Sequence, residues 1–150
     1  MLKYLRTTGQ VTCISCSDTI TCLGVLHPRE RYQSIELYFN DKLKITFHSS
    51  NEMIPFAKLR AHSRQIDMLV CSLKSSTLLY LMSYSYDKIV IWNLDSVMDM
   101  YTDVDDVSFA AKVVERGDIG DVSCASFDST GSMLALGLKR EISIVFSESM

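Results

Sequence analysis

An all-β fold is predicted for this chain by three observations. Short runs rich in β-branched, aromatic and Leu residues follow one another along its whole length. Turn-forming residues separate them, and no segment sustains a helical apolar period beyond about two turns. In chain order the strand-like runs are 11–16, 20–26, 35–39, 43–47, 66–71, 78–82, 89–94, 122–127, 133–136 and 142–146. Each has the composition that suits a pleated, half-buried surface. Between them stand His27-Pro28, Asn40-Asp41, Lys74-Ser75-Ser76 and Asp128-Ser129-Thr130-Gly131, all residue types that favour turns.

Internal repeats narrow the architecture. Asn40 to Phe47 aligns with Tyr86 to Asn93, and both align with Lys139 to Phe146. In each copy a turn precedes a strand with Leu or Ile at alternate positions. Period-two alternation predicts that Leu43 and Ile45, Ile89 and Ile91, and Ile142 and Ile144 lie on buried faces. The copies are spaced by 46 and then 53 residues. Upstream, Ile20 precedes Asp41 by 21 residues and Ile66 precedes Asp87 by the same 21. Pro55-Phe56-Ala57-Lys58-Leu59-Arg60 is similar to Ser108-Phe109-Ala110-Ala111-Lys112-Val113, each just ahead of the next strand group. The repeating unit is therefore four antiparallel strands, the size of one β-propeller blade. The expected blades are roughly 1–60, 61–116 and 117–150.

From Ala61-His62 through Asn93 the chain resembles a WD40 repeat. The family pattern is a Gly-His pair, two strands, a Ser-x-Asp turn, and a third strand ending in Trp-Asp. Here these positions read Ala61-His62, Ser85-Tyr86-Asp87 and Trp92-Asn93. Val122 to Gly137 is similar to the first two strands of such a repeat with their Gly-containing hairpin. The resemblance covers roughly residues 20–146. Ala61 replaces the family's Gly, Asn93 replaces its Asp, and the third unit has Gly117-Asp118 and no Trp. The resemblance implies a structural tetrad of His62, Ser85, Asp87 and Trp92 that braces one blade, each buried polar group partnered because an unsatisfied one costs ~1–3 kcal/mol. It implies a WD-repeat scaffold for protein–protein interaction within a multiprotein complex. About three units are fewer than such a ring usually contains. The expectation is a fragment, a truncated product, or a partial ring that finishes on another subunit, with unclosed blades prone to self-association.

Composition excludes other classes. Charged residues are 22% and apolar residues 47%, which fits a packed domain and not a disordered chain. The 15 Lys and Arg are outnumbered by 18 Asp and Glu, so nucleic acid, which demands a basic surface, is disfavoured as a partner. No segment has the length and apolarity of a signal peptide or membrane helix. Five cysteines, an odd number, suit a reducing compartment, so cytoplasm or nucleus is expected.

Motifs for chemistry are sparse. Cys13-x-x-Cys16 with Cys22 and His27 lacks a second close pair for structural zinc, and its two cysteines would face opposite sides of a strand. Cys71 and Cys124 sit inside apolar runs, where Cys behaves as a small hydrophobe. No Gly-rich phosphate loop occurs. No metal and no cofactor is expected. The 95–106 loop carries Asp95, Asp99, Asp103, Asp105 and Asp106 without the Gly and Glu of a calcium loop. It reads as a solvated connection between the third and fourth strands of a blade. If it binds anything, the expected ligand is a basic partner, with Met98, Met100 and Tyr101 adding apolar contacts. Tyr4, Arg29, Arg31 and Tyr32 form a small basic-aromatic group, the last three in a hairpin tip; it reads as a surface hairpin charged for solubility, with contact to RNA or a phosphate as the alternative. The leading expectation is a non-catalytic scaffold. The alternatives are an enzyme, a partner subunit of one (for example in an RNA-modifying or ubiquitin-transfer complex), or a fragment without independent function. Clustering of His27, His48 and His62 with acids would favour an enzyme; burial of His62 beside Trp92 would count against it.

Overall fold

The structure, a computed structural model, describes residues 7, 9–29, 32–49, 54–72, 79–98, 111–115 and 121–146. The described chain is mostly β, arranged in three antiparallel sheets. Sheet 1 has the order β1 (Gln10–Cys16), β2 (Ile20–His27), β3 (Tyr32–Phe39), β4 (Ala57–Leu59). Sheet 2 has the order β5 (Ile66–Cys71), β6 (Tyr80–Ser85), β7 (Lys88–Asn93), β8 (Ala111–Glu115). Sheet 3 contains β9 (Cys124–Phe127), β10 (Met133–Gly137) and β11 (Ile142–Phe146), with β10 in the middle. Each sheet is a simple meander, so every neighbour in sequence is a neighbour in space. Among the described residues two helices interrupt the strands: α1 (Asn40–Ser49) and α2 (Leu94–Met98).

The sheets stack face to face. One face of sheet 1 (Ile20, Cys22, Ile35, Leu37, Ala57, Leu59) packs on one face of sheet 2 (Ile66, Leu69, Cys71, Leu81, Val90, Trp92). The other face of sheet 2 (Tyr80, Met82, Tyr84, Ile89, Ile91) packs on Leu134 and Leu136 of sheet 3. Tyr80 stacks on Phe127 across this second interface, with ring centroids 6.4 Å apart. Sheet 2 is thus buried on both faces, and its strands read as nearly continuous apolar runs for that reason.

The first two sheets meet most closely at their first strands. The Thr12 hydroxyl on β1 donates to the Ile66 carbonyl on β5 at 2.7 Å, and the Cys71 amide donates to the Ser15 hydroxyl at 3.0 Å. Gly24 lies at this junction. A Cβ there would meet Cys13 Sγ at 2.6 Å, Thr12 Oγ1 at 3.0 Å and Ile66 Cβ at 3.4 Å. The absent side chain is what lets the strands approach.

The strand expected over 43–47 is instead part of α1. Asn40 starts this helix and ties it to the β1–β2 turn, its amide donating to the Thr19 carbonyl at 2.8 Å and its side-chain amide to the Ser17 carbonyl at 3.0 Å. Asp41 lies in the first turn, where a negative charge complements the helix dipole. Leu43 packs on Leu23, Val25 and Tyr38 on the outer face of sheet 1, whereas Ile45 is 58% exposed. The third strand of sheet 1 is β3, pairing with β2 over its full length. The 40–47 copy is therefore a sequence likeness without structural equivalence, and the shared 21-residue spacing links a second strand, β2, to a first strand, β5. Ile89 and Ile91 are buried as the alternation predicts, but Ile142 and Ile144 are 73% and 36% exposed.

Candidate functional site

Four polar side chains on sheet 2 form one hydrogen-bonded chain. His62 lies in the segment between β4 and β5, Ser83 on β6, Asp87 in the β6–β7 turn and Trp92 on β7. The Trp92 indole Nε1 donates to Ser83 Oγ at 2.9 Å. Ser83 Oγ and His62 Nε2 are 2.8 Å apart, and His62 Nδ1 and Asp87 Oδ1 are 2.9 Å apart. The Ser63 amide donates to Asp87 Oδ2 at 2.8 Å. An indole N–H can only donate and a carboxylate can only accept, which fixes the first and last bonds, and burial, which disfavours the charged ring, fixes the middle one. Trp92 donates to Ser83, Ser83 to His62 Nε2, and His62 Nδ1–H to Asp87. The ring is then neutral with its proton on Nδ1.

The electrostatics agree with that assignment. Burial lowers the His62 pKa, and the bond to Asp87 offsets this only in part. Partial burial alone would raise the Asp87 carboxyl; the bond and charge of His62, the Ser63 amide and the Ser85 hydroxyl outweigh it and bring the pKa down to about 2.

The serine in this chain is Ser83, not the Ser85 expected from the Ser-x-Asp turn. Both lie on the face of β6 that looks toward sheet 1, with Leu81. Leu81 stands directly opposite Trp92 and Ser83 opposite Val90, so Ser83 is the diagonal neighbour that an indole reaches. Ser85 is two residues farther along the strand, about 7 Å beyond Ser83. It is fully buried and lies beside Asp87, whose carboxyl its hydroxyl helps to hold down without a bond of close geometry.

Serine, histidine and aspartate occur here in the order of a nucleophilic triad. Ser83, however, is fully buried, already accepts from Trp92, and lies under the core shared with sheet 1. Its geometry braces the loop before β5 against the β6–β7 hairpin. His62 is 7% exposed and packed beside Trp92, the burial that weighs against a catalytic role. His27 sits on sheet 1, its Nε2 3.3 Å from Ser34 Oγ; the His48 side chain lies outside the described residues.

The remaining expected site residues fall elsewhere. Asp95 belongs to α2 and accepts the Leu79 amide at 2.9 Å, joining the start of β6 to the end of β7. Asp99, Tyr101, Asp103, Asp105 and Asp106 lie outside the described residues, as do Met100, Tyr4 and Arg31. Cys13 faces β5, whereas Cys16 contacts Thr21 on the opposite face of sheet 1. Among the described residues no group of three or more His, Cys, Asp or Glu side chains is placed to hold a metal ion. No helix among them is long and apolar enough to cross a membrane.

The feature that sequence reasoning missed is the outer face of sheet 3. Met133, Ala135, Ile142, Ile144 and Phe146 share it by register, and Ile142 and Phe146 are 73% and 56% exposed. Alternation marked Ile142 and Ile144 as facing a neighbour, but it carries no signal of whether that neighbour is present. No protein-family model matches the chain, and no curated protein matches it.

Proposed function

We propose that this chain is a set of WD40-type propeller blades that acts as a non-catalytic scaffold binding other proteins, including a second copy of itself. The observation that carries the reading is the open face of sheet 3. Ile142 and Ile144 correspond in the sequence repeat to Ile89 and Ile91 on sheet 2, which are buried at 0% and 2% exposure under sheet 3. The exposed face therefore repeats the pattern with which sheet 2 receives its neighbour, and a contiguous exposed apolar patch of this kind marks an interaction surface. The stacked four-stranded meanders and the Trp92–Ser83–His62–Asp87 relay support the blade assignment. The sealed position of Ser83 supports the non-catalytic part.

Light scattering after gel filtration tests this reading. We expect a mass above the 17.0 kDa monomer. The double substitution Ile142→Asp, Phe146→Asp should return it to monomer while circular dichroism stays unchanged. A wild-type chain that remains monomeric at high concentration would overturn self-recognition through this face.

A further inference from the structure

We propose that Cys22 and Cys71 form a redox-responsive modification site, closing to a disulfide that locks sheet 1 to sheet 2 when the chain meets a peroxide. The two thiols project from different sheets into one interface, Cys22 from β2 and Cys71 from the last position of β5, with sulfurs 3.4 Å apart. A disulfide needs about 2.05 Å, so the sulfurs must approach by only about 1.4 Å. The other three cysteines have different surroundings. Cys13 Sγ is bonded to the Ile66 carbonyl, Cys16 lies beside the Thr21 hydroxyl, and Cys124 lies beside the Ser123 hydroxyl.

The pair is asymmetric, which assigns the roles. Cys22 is fully buried and Cys71 is 9% exposed, at the end of its strand. The hydrogen bond from Cys22 lowers the Cys71 thiol against the opposing effect of burial, and the Ser15 hydroxyl adds to the lowering. The same contact, together with burial, pushes the Cys22 thiol well up. Cys71 is therefore the thiolate that a water-sized oxidant meets first. Its sulfur attacks hydrogen peroxide, the O–O bond breaks, and Cys71 becomes a sulfenic acid as the peroxide is reduced to hydroxide. The Cys22 sulfur then attacks the Cys71 sulfur, the S–S bond forms, and the S–O bond breaks as hydroxide leaves. The two thiol protons convert both hydroxides to water, so two thiols and one peroxide give one disulfide and two waters. The bond closes a loop across 49 positions of sequence and joins two sheets otherwise held by packing and a few hydrogen bonds.

The test uses the full chain with all five cysteines. It is treated with hydrogen peroxide, the remaining thiols are capped with N-ethylmaleimide, and the protein is digested with trypsin. Cys13, Cys16 and Cys22 fall between the same two arginines, Arg6 and Arg29, so fragmentation of the linked peptide must locate the bond. The expected link joins Cys22 to Cys71, raises Tm by about 5 °C or more, and is reversed by dithiothreitol. In Cys22→Ser the Cys71 sulfenic acid has no resolving thiol and should be trapped by dimedone. Maleimide on both Cys22 and Cys71 after treatment, or a link joining any other pair, would overturn the site. Absence of dimedone on Cys71 in Cys22→Ser would overturn its role as the attacking sulfur.

Discussion

Sheets 2 and 3 are built on a shared sequence pattern and end in opposite environments. In sheet 2, Ile89 and Ile91 are sealed beneath sheet 3, and the other face holds Trp92 and the polar relay under sheet 1. In sheet 3, Leu134 and Leu136 are fully buried against sheet 2, while Ile142 and Phe146 stand in solvent. A β-strand presents two faces, and each face acquires its energetic value from whatever covers it. The same residue type at the same repeat position thus serves as core in one sheet and as open surface in the next.

The largest expected effect tests the buried side of this contrast. Trp92→Ala removes a fully buried indole and frees Ser83 from its donor; the cost should be about 3–5 kcal/mol in urea unfolding. A loss under 1 kcal/mol would place Trp92 outside the cooperative core. The paired substitutions Ile89→Ala and Ile142→Ala contrast the two sheets directly. The first should cost about 2–5 kcal/mol and the second less than about 0.5 kcal/mol in the monomer. Equal costs would mean that the outer face of sheet 3 is covered.

A smaller effect separates the two serines. Ser83→Ala leaves the Trp92 indole without its acceptor and His62 Nε2 without its donor, at about 1–3 kcal/mol. Ser85→Ala removes a hydroxyl that gives Asp87 only a minor contact, so it should cost less than about 1 kcal/mol. The reverse ranking would restore Ser85 to the tetrad.

The smallest effect is the pH dependence contributed by the relay. His62 has a folded pKa below its ordinary 6.5, so the unfolded chain takes up its proton more readily, and stability declines as pH falls below that value. Asp87 has a folded pKa of about 2 against 3.8, so its contribution is present above about pH 4 and lost as pH falls toward 2. Both act in the same direction. Tm measured from pH 7 to pH 2 should fall in these two windows, and Asp87→Asn should abolish the lower one while the upper one persists, because Asp87 is what partly holds the His62 pKa up. A wild-type Tm that is level from pH 7 to pH 5 would contradict a neutral, buried His62.

Much of the strand content could be read locally. β1, β2, β5, β7, β10 and β11 fall within about two residues of the expected runs, because each carries enough β-branched and aromatic residues to outweigh its neighbours. The likeness of 55–60 to 108–113 also marked fourth strands, β4 and β8. The segment 40–49 misled because Leu43, Ile45 and Phe47 alternate as in a strand, while Leu43 and Phe47 also carry the four-residue spacing of a helix face. Short apolar runs with both spacings do not distinguish the two. β3 takes the place beside β2, and the following chain has Asn40 to start a helix on the sheet's outer face.

The candidate site divides along the same line. His62, Asp87 and Trp92 were legible only through the likeness of 61–93 to a WD40 repeat, because no local pattern of residue types by itself joins a His before one strand to a Trp thirty positions on. Ser83 and Ser85 have the same chemistry and the same parity on β6, so only the β6–β7 register decides which of them the indole reaches. The sequence by itself determined the β class, the alternation of each strand and the residue types available for the relay, because these depend on near neighbours and backbone preference. The tertiary structure alone decided that 40–49 is helical, that Ser83 is the linking hydroxyl, that Cys22 meets Cys71 and that Ile142 and Phe146 are uncovered. Each of those depends on which distant segment lies against a face, and no local pattern encodes that.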